Sequence, residues 1–210
     1  MSFVASCRLN GTTLYFIERC ATDLADAEVA MDENGRIPAF PSEDEARAEI
    51  ARRFPLPRAA QLTDSSSADE LAGAMEDNYA RFMDLSYDLD AAREWAKAPG
   101  PSGISPELAV DVWELCSHVG EAPPLQRFDP MGMGAIYENM MRYPERRDEY
   151  ELLLLGMKLS GSVSVALRTG RPAIWQLDMP DLAEPLPKTD YARLATILET
   201  GIAGFARRLL

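Results

Sequence analysis

The sequence contains a single histidine, His118, and only three cysteines, Cys7, Cys20 and Cys116. Three widely spaced cysteines make no disulfide framework, and no C-x-x-C is present. A zinc site of the Cys/His kind would need nearly all of these side chains at one point, so no metal is expected. Positive charge is also scarce: 21 Lys and Arg stand against 34 Asp and Glu, a net charge of −13 at pH 7. Phosphate backbones and anionic lipid repel such a chain, which argues against direct nucleic-acid binding and against a membrane surface. Long apolar runs are missing too. The longest, Leu152–Met157 with Gly156 included, is far too short to span a bilayer. The first residues, Met1 to Arg8, lack the basic start and apolar stretch of a signal peptide. With few cysteines, these absences point to a reducing, cytoplasmic setting.

Catalytic signatures are equally scarce. There is no G-x-S-x-G, no H-E-x-x-H, no Walker loop and no G-x-G-x-x-G. Met131-Gly132-Met133-Gly134 contains G-x-G, but no strand precedes it and no third glycine follows at the right spacing. Cys116 and His118 are the only Cys/His neighbours, and positions two residues apart on a helix point about 200° from one another. Cys116 falls on an apolar helix face, which blunts a thiol. His118 falls in a last turn, where its charge suits the helix C-terminus. The chain therefore reads as non-catalytic, with no cofactor.

What is present is core and pattern. Hydrophobic residues make up 47% of the chain, enough for a folded interior. Asn10-Gly11 between Phe3–Leu9 and Thr12–Arg19 predicts a hairpin with a type I′ turn. That turn sets the register: Leu9 opposite Thr12, Cys7 opposite Leu14 and Ala5 opposite Phe16 on the expected buried face. Arg8/Thr13, Ser6/Tyr15 and Val4/Ile17 pair on the other. Asn34-Gly35 predicts a second short hairpin, with Pro38 confining its last strand to an edge. Ser42-x-x-Glu45 is a capping box opening a helix to about Phe54.

Pro55-Leu56-Pro57 and Ser65-Ser66-Ser67 mark the best boundary, dividing a hairpin/hairpin/helix lobe at 1–58 from a mainly helical domain at 63–210. The two are expected to pack together. The fold class is α+β. Ser67-x-x-Glu70 opens an amphipathic helix with Leu71, Met75, Tyr79 and Phe82 on one stripe. A short helix follows Asp88 and stops at Pro99–Gly103. Ser105 as N-cap, Pro106 at the first position and Gly120 just past the end delimit the clearest helix. Its apolar face holds Leu108, Val112, Leu115, Cys116 and Val119. Asp129-Pro130 starts a Met-rich helix that Tyr143-Pro144 breaks, and Asp190 caps a final one. Between them, Glu149–Leu159 is helical by pattern. Ser162–Leu167 alternates like the first strand of a hairpin at 162–177, yet also keeps helical spacing; one long helix is favoured, with Gly156, Ser160 and Ser164 as a small-residue stripe admitting another helix.

Charge is unevenly placed. Residues 18–50 hold ten acids against three bases, and residues 64–94 hold nine against two, so the remainder is near neutral. Such a field steers a basic partner. The expected role is an acidic interaction protein that binds a basic protein, most concretely an immunity or antitoxin-type protein neutralising a toxin or nuclease. The candidate contact residues are Asp26, Glu28, Asp32, Glu33, Asp69, Glu76, Asp77, Asp84, Asp88 and Asp90. The alternative is a small-molecule-binding or enzymatic helical domain with an inter-helix pocket among Trp113, Tyr137, Arg142, Tyr143 and Trp175. Trp95 and Trp175, beside Pro/Gly-rich breaks, are expected to be partly exposed. A homo-oligomer using Met131, Met133, Met140 and Met141 is a third reading.

Overall fold

In the computed structural model, Asn10 and Gly11 take φ of 54° and 74°, the pair of positive values a type I′ turn requires. The structure describes residues 2–20, 27–53, 85–100, 103–126, 129–169 and 188–210. Strands β1 (Ser2–Leu9) and β2 (Thr12–Cys20) pair antiparallel in the predicted register, with Leu9 opposite Thr12, Cys7 opposite Leu14 and Ala5 opposite Phe16. The Cys7 face is buried as expected: Phe3, Ala5, Cys7, Leu9 and Phe16 are all in the core.

The sheet is larger than one hairpin. Its order is β3-β2-β1-β4, where β3 is Ala27–Val29 and β4 is Ser86–Asp88. β4 carries no separate signal in the sequence, since three residues running directly into a helix give no alternation to read.

The second Asn-Gly does not form the expected hairpin of paired strands. Asn34 keeps negative φ and only Gly35 is positive, at 72°. The turn is closed by Gly35 N–H donating to the Asp32 carbonyl at 3.0 Å and Asp32 N–H donating to the Arg36 carbonyl at 2.8 Å. The arms then find other partners. Glu18 pairs with Val29, and Phe40 exchanges both backbone hydrogen bonds with Tyr15 at 2.8 and 2.9 Å. Both arms therefore lie along β2 as one interrupted edge strand, with residues 31–39 as an excursion. Within that excursion Ile37, fully buried, donates to the Arg208 carbonyl at 2.7 Å and accepts from Leu210 N–H at 3.1 Å.

Helix α1 (Glu43–Arg53) starts at Ser42 as predicted, with Glu45 N–H donating to Ser42 Oγ at 3.3 Å. The reciprocal half differs, because the serine hydroxyl itself donates to Glu45 Oε1. Ala46 is its buried residue. Residues 1–87 with 208–210 form one compact unit, and residues 88–207 a second. The predicted boundary at Pro55–Pro57 and Ser65–Ser67, the capping box at Ser67 and the helix with Leu71, Met75, Tyr79 and Phe82 lie outside the described residues.

The described part of the second unit is helical. Asp88 accepts from Ala91 N–H at 2.9 Å to cap α2 (Leu89–Ala96). Ser105 Oγ accepts from Leu108 N–H at 3.1 Å to cap α3 (Pro106–His118). α3 ends as predicted at Gly120, whose φ is 75°. Gly120 N–H donates to Ser117 O at 3.0 Å and Glu121 N–H to Cys116 O at 2.9 Å, the paired bonds of a Schellman stop. Helix α4 (Pro130–Arg142) is followed by a 3-10 turn at Pro144–Arg146, then α5 (Arg147–Thr169) and α6 (Lys188–Arg208). Continuous helix through Thr169 removes the first strand of the alternative hairpin at 162–177. Helical spacing of Leu152, Leu155 and Leu159 outweighs the short alternation that follows. α6 begins two residues before Asp190, which sits inside the first turn and reaches Lys158 Nζ at 3.7 Å.

Trp113, Leu115, Leu155, Leu159, Leu194, Leu198, Ile202 and Phe205 are fully buried. α4 packs on α5 through Met133, Ile136, Tyr150, Leu154 and Met157. Gly156 and Ser160 of the small-residue stripe on α5 meet irregular chain at Gln126 where a helix was expected, and Ser164 has its side chain outside the described residues. A Cβ on Gly156 would lie 3.0 Å from the Gln126 nitrogen, and Ser160 Oγ donates to Gln126 O at 3.4 Å. On α6, a Cβ on Gly201 would lie 2.7 Å from Cys116 Cβ.

Gly201→Val should lower stability by about 1–3 kcal/mol in chemical denaturation, because the added atoms meet a helix that cannot retreat. Gly134→Ala should instead raise it by roughly 0.5–1 kcal/mol, since its Cβ would meet nothing within 4 Å.

Candidate functional site

Of the acids that the charge pattern singles out, the first unit carries Glu28, Asp32 and Glu33 among the described residues. Glu28 projects from edge strand β3, opposite Arg19, and is exposed. Glu33 is exposed in the turn that follows. Asp32 beside it has a structural task. Its Oδ1 accepts N–H bonds from Asn34 at 2.8 Å and Arg36 at 2.9 Å, and the Arg36 bond is the main cause that holds its carboxyl below the ordinary range.

Helix α1 opens with exposed Glu43, Asp44 and Glu45 and ends with Arg52 and Arg53, an order that suits the helix dipole. Much of this charge is cancelled locally. Glu43 pairs with Arg47, with Arg47 Nε at 2.8 Å. Glu49 accepts from Arg52 at 2.6 and 2.7 Å and also from Arg53. The bond from Arg52 is the largest cause that lowers the Glu49 pKa from 4.5 to about 2. The two arginines that neutralise Glu49 stand just beyond the acid-rich stretch 18–50, so that stretch overstates the free charge. Glu28, Glu33 and Asp44 remain exposed and make no ion pair among the described residues.

One acid has the opposite character. Glu18 continues the core face of β2 beyond Phe16, directly opposite Phe3, and is 1% exposed. Its Oε1 accepts the Tyr87 hydroxyl at 2.9 Å, and the Tyr87 ring stacks on Phe16 at 6.1 Å between centroids. Period-2 alternation from Phe16 already places Glu18 on the buried face. Counting it only as charge missed this, and Tyr87 on the unpredicted β4 could not be named as its partner.

Of the other candidate contacts, Asp88 is the α2 cap and Asp90 is half-buried in that helix's first turn; both belong to the second unit. Asp26, Asp69, Glu76, Asp77 and Asp84 lie outside the described residues.

The alternative pocket residues go to separate environments. Trp113 is fully buried and donates its indole N–H to Pro123 O at 2.7 Å. Tyr137 and Arg142 on α4, and Tyr143 after it, are exposed. Trp175 lies outside the described residues. Trp95 is not partly exposed as expected; it is buried. The Pro/Gly break folds back over it, so that its indole N–H donates to Gly100 O at 2.9 Å while its ring meets Tyr191 edge-on. Three of the four methionines of the oligomer reading differ in exposure: Met133 is buried and Met140 partly buried, whereas Met141 is 86% exposed; the side chain of Met131 lies outside the described residues.

A groove of 460 Å³ opens elsewhere, between α5 and α6, walled by Pro123, Leu152, Ala192, Thr196 and Ile197. Its charged members are Asp148 and Arg193. Arg193 Nη2 is 2.9 Å from Glu151 and 3.8 Å from Asp148.

Cys116 is fully buried. Burial, with the Glu121 carboxylate adding to it, pushes its thiol up to about 12. Among the described residues, no group of three or more His, Cys, Asp or Glu side chains is arranged to hold a metal ion, and no helix is long and apolar enough to cross a membrane.

No family model matches the chain, and no curated protein matches it. A crystal structure described as the SatS C-terminal domain in complex with bromine is similar at 18% identity and a TM-score of 0.41, over 100% of this chain and 92% of that one. A likeness of that size is too slight to place the chain in a fold family.

Three measurements check this geometry. Tyr87→Phe should cost about 1–3 kcal/mol, because it removes a donor from a buried carboxylate. Tyr15→Phe, at a half-buried position, should change stability by less than about 0.5 kcal/mol. Glu49 has a folded pKa below its unfolded one, so its ion pairs support α1 in full above about pH 4.5 and are lost as pH falls toward about 2. Circular dichroism of Glu49→Gln should show less acid-induced helix loss than the parent chain, with the difference shrinking in salt. Iodoacetamide at neutral pH should leave Cys116 unlabelled in the folded protein, by peptide mapping, while the denatured chain labels fully.

Proposed function

We propose that this is a non-catalytic interaction protein whose first unit binds a basic protein partner. The reading rests on one observation: Glu28, Glu33 and Asp44 are exposed and without ion pairs among the described residues, on successive elements of one folded unit. Glu28 and Phe40 pair with Arg19 and Tyr15 on the same strand. Four strand residues correspond to about 13 Å, so β3, which carries Glu28, and the chain that leads into α1 meet the same edge of β2. A field of that extent speeds encounter with a cationic surface and adds little to the stability of the free protein.

An immunity or antitoxin-type protein is the concrete form of this role. Such a protein acts by covering a basic toxin or nuclease, so it needs fast association and no reacting side chain. The long side chains of Glu28 and Glu33 would meet Lys and Arg at the rim of the contact, where charge governs on-rate. A cytoplasmic setting goes with this reading.

The test uses a labelled oligoarginine peptide and fluorescence anisotropy. Combined Glu28→Lys, Glu33→Lys and Asp44→Lys should weaken binding about tenfold at low salt, and the parent affinity should fall steeply as salt shortens the Debye length. Glu138→Lys, Glu145→Lys and Glu199→Lys make the same charge change on the second unit. Equal weakening by the two sets would show that net charge alone acts, and the assignment to the first unit would fail.

A further inference from the structure

We draw no further inference here: the strongest candidate, the groove between α5 and α6 walled by Leu152, Ala192 and Ile197, carries nothing, because its two charges, Asp148 and Arg193, face one another and nothing in the structure shows what covers its apolar walls.

Discussion

The second unit depends on the path of seven residues, Gly120 to Gln126. Gly120 at positive φ stops α3 and turns the chain back. From there the backbone runs against three helices in succession. Pro123 O takes the indole N–H of Trp113 on α3. Ala122 and Cys116 close on Gly201 of α6. Gln126 lies over Gly156 of α5 and receives the Ser160 hydroxyl. Extended chain can approach a helix this closely only where side chains are missing. Gly156 of α5 is therefore placed against this irregular segment, while Gly201 of α6 lies first against Cys116 of α3, with Ala122 beside it. The large apolar side chains of α3, α5 and α6 then fill the interior around that arrangement.

The first unit is organised by strand pairing. One two-residue turn aligns β1 and β2, and the outer edge of β2 is then covered in two instalments, by β3 and by Phe40. Splitting an edge strand this way leaves a loop at 31–39, and its backbone groups must find partners. Asp32 satisfies those inside the turn, and the chain end satisfies Ile37 through the Arg208 carbonyl and the Leu210 N–H. On the core face of the same sheet, Glu18 accepts a hydrogen bond from Tyr87, brought in by β4. A buried carboxylate without a donor would cost far more than the bond contributes.

These two modes of assembly explain how far reading the chain succeeds. Turn and cap signals act over a few residues, so Asn10-Gly11, Ser42, Asp88, Ser105 and Gly120 announced their roles directly. The Asn34-Gly35 pair misled because the side chain of Asp32 competes for the turn and selects a different closure. Trp95 misled for a related reason. Proximity to Pro and Gly suggests exposure, but a break can fold back and supply the carbonyl an indole needs. Charge was legible as a total and only partly as a location. Arg52 and Arg53 neutralise Glu49 from the next turn of the helix, and Asp32 and Asp88 are occupied with backbone N–H groups. The exposed acids that survive are fewer than the count of carboxylates implies.

The sequence by itself determined the α+β class, the register of the first hairpin, the starts of most of the described helices and the stop of α3, and the inertness expected of Cys116. Each follows from contacts spanning at most a few residues, or from a period that repeats along one element. Tertiary structure alone decided that β4 joins the sheet, that Ile37 pairs with the chain end, that Glu18 is buried beneath Tyr87, and that Gly156 and Ser160 of α5 receive the irregular chain at Gln126. Those outcomes depend on which distant segment meets a given face. Loop closure and side-chain volume decide that together, and neither is written in the local pattern.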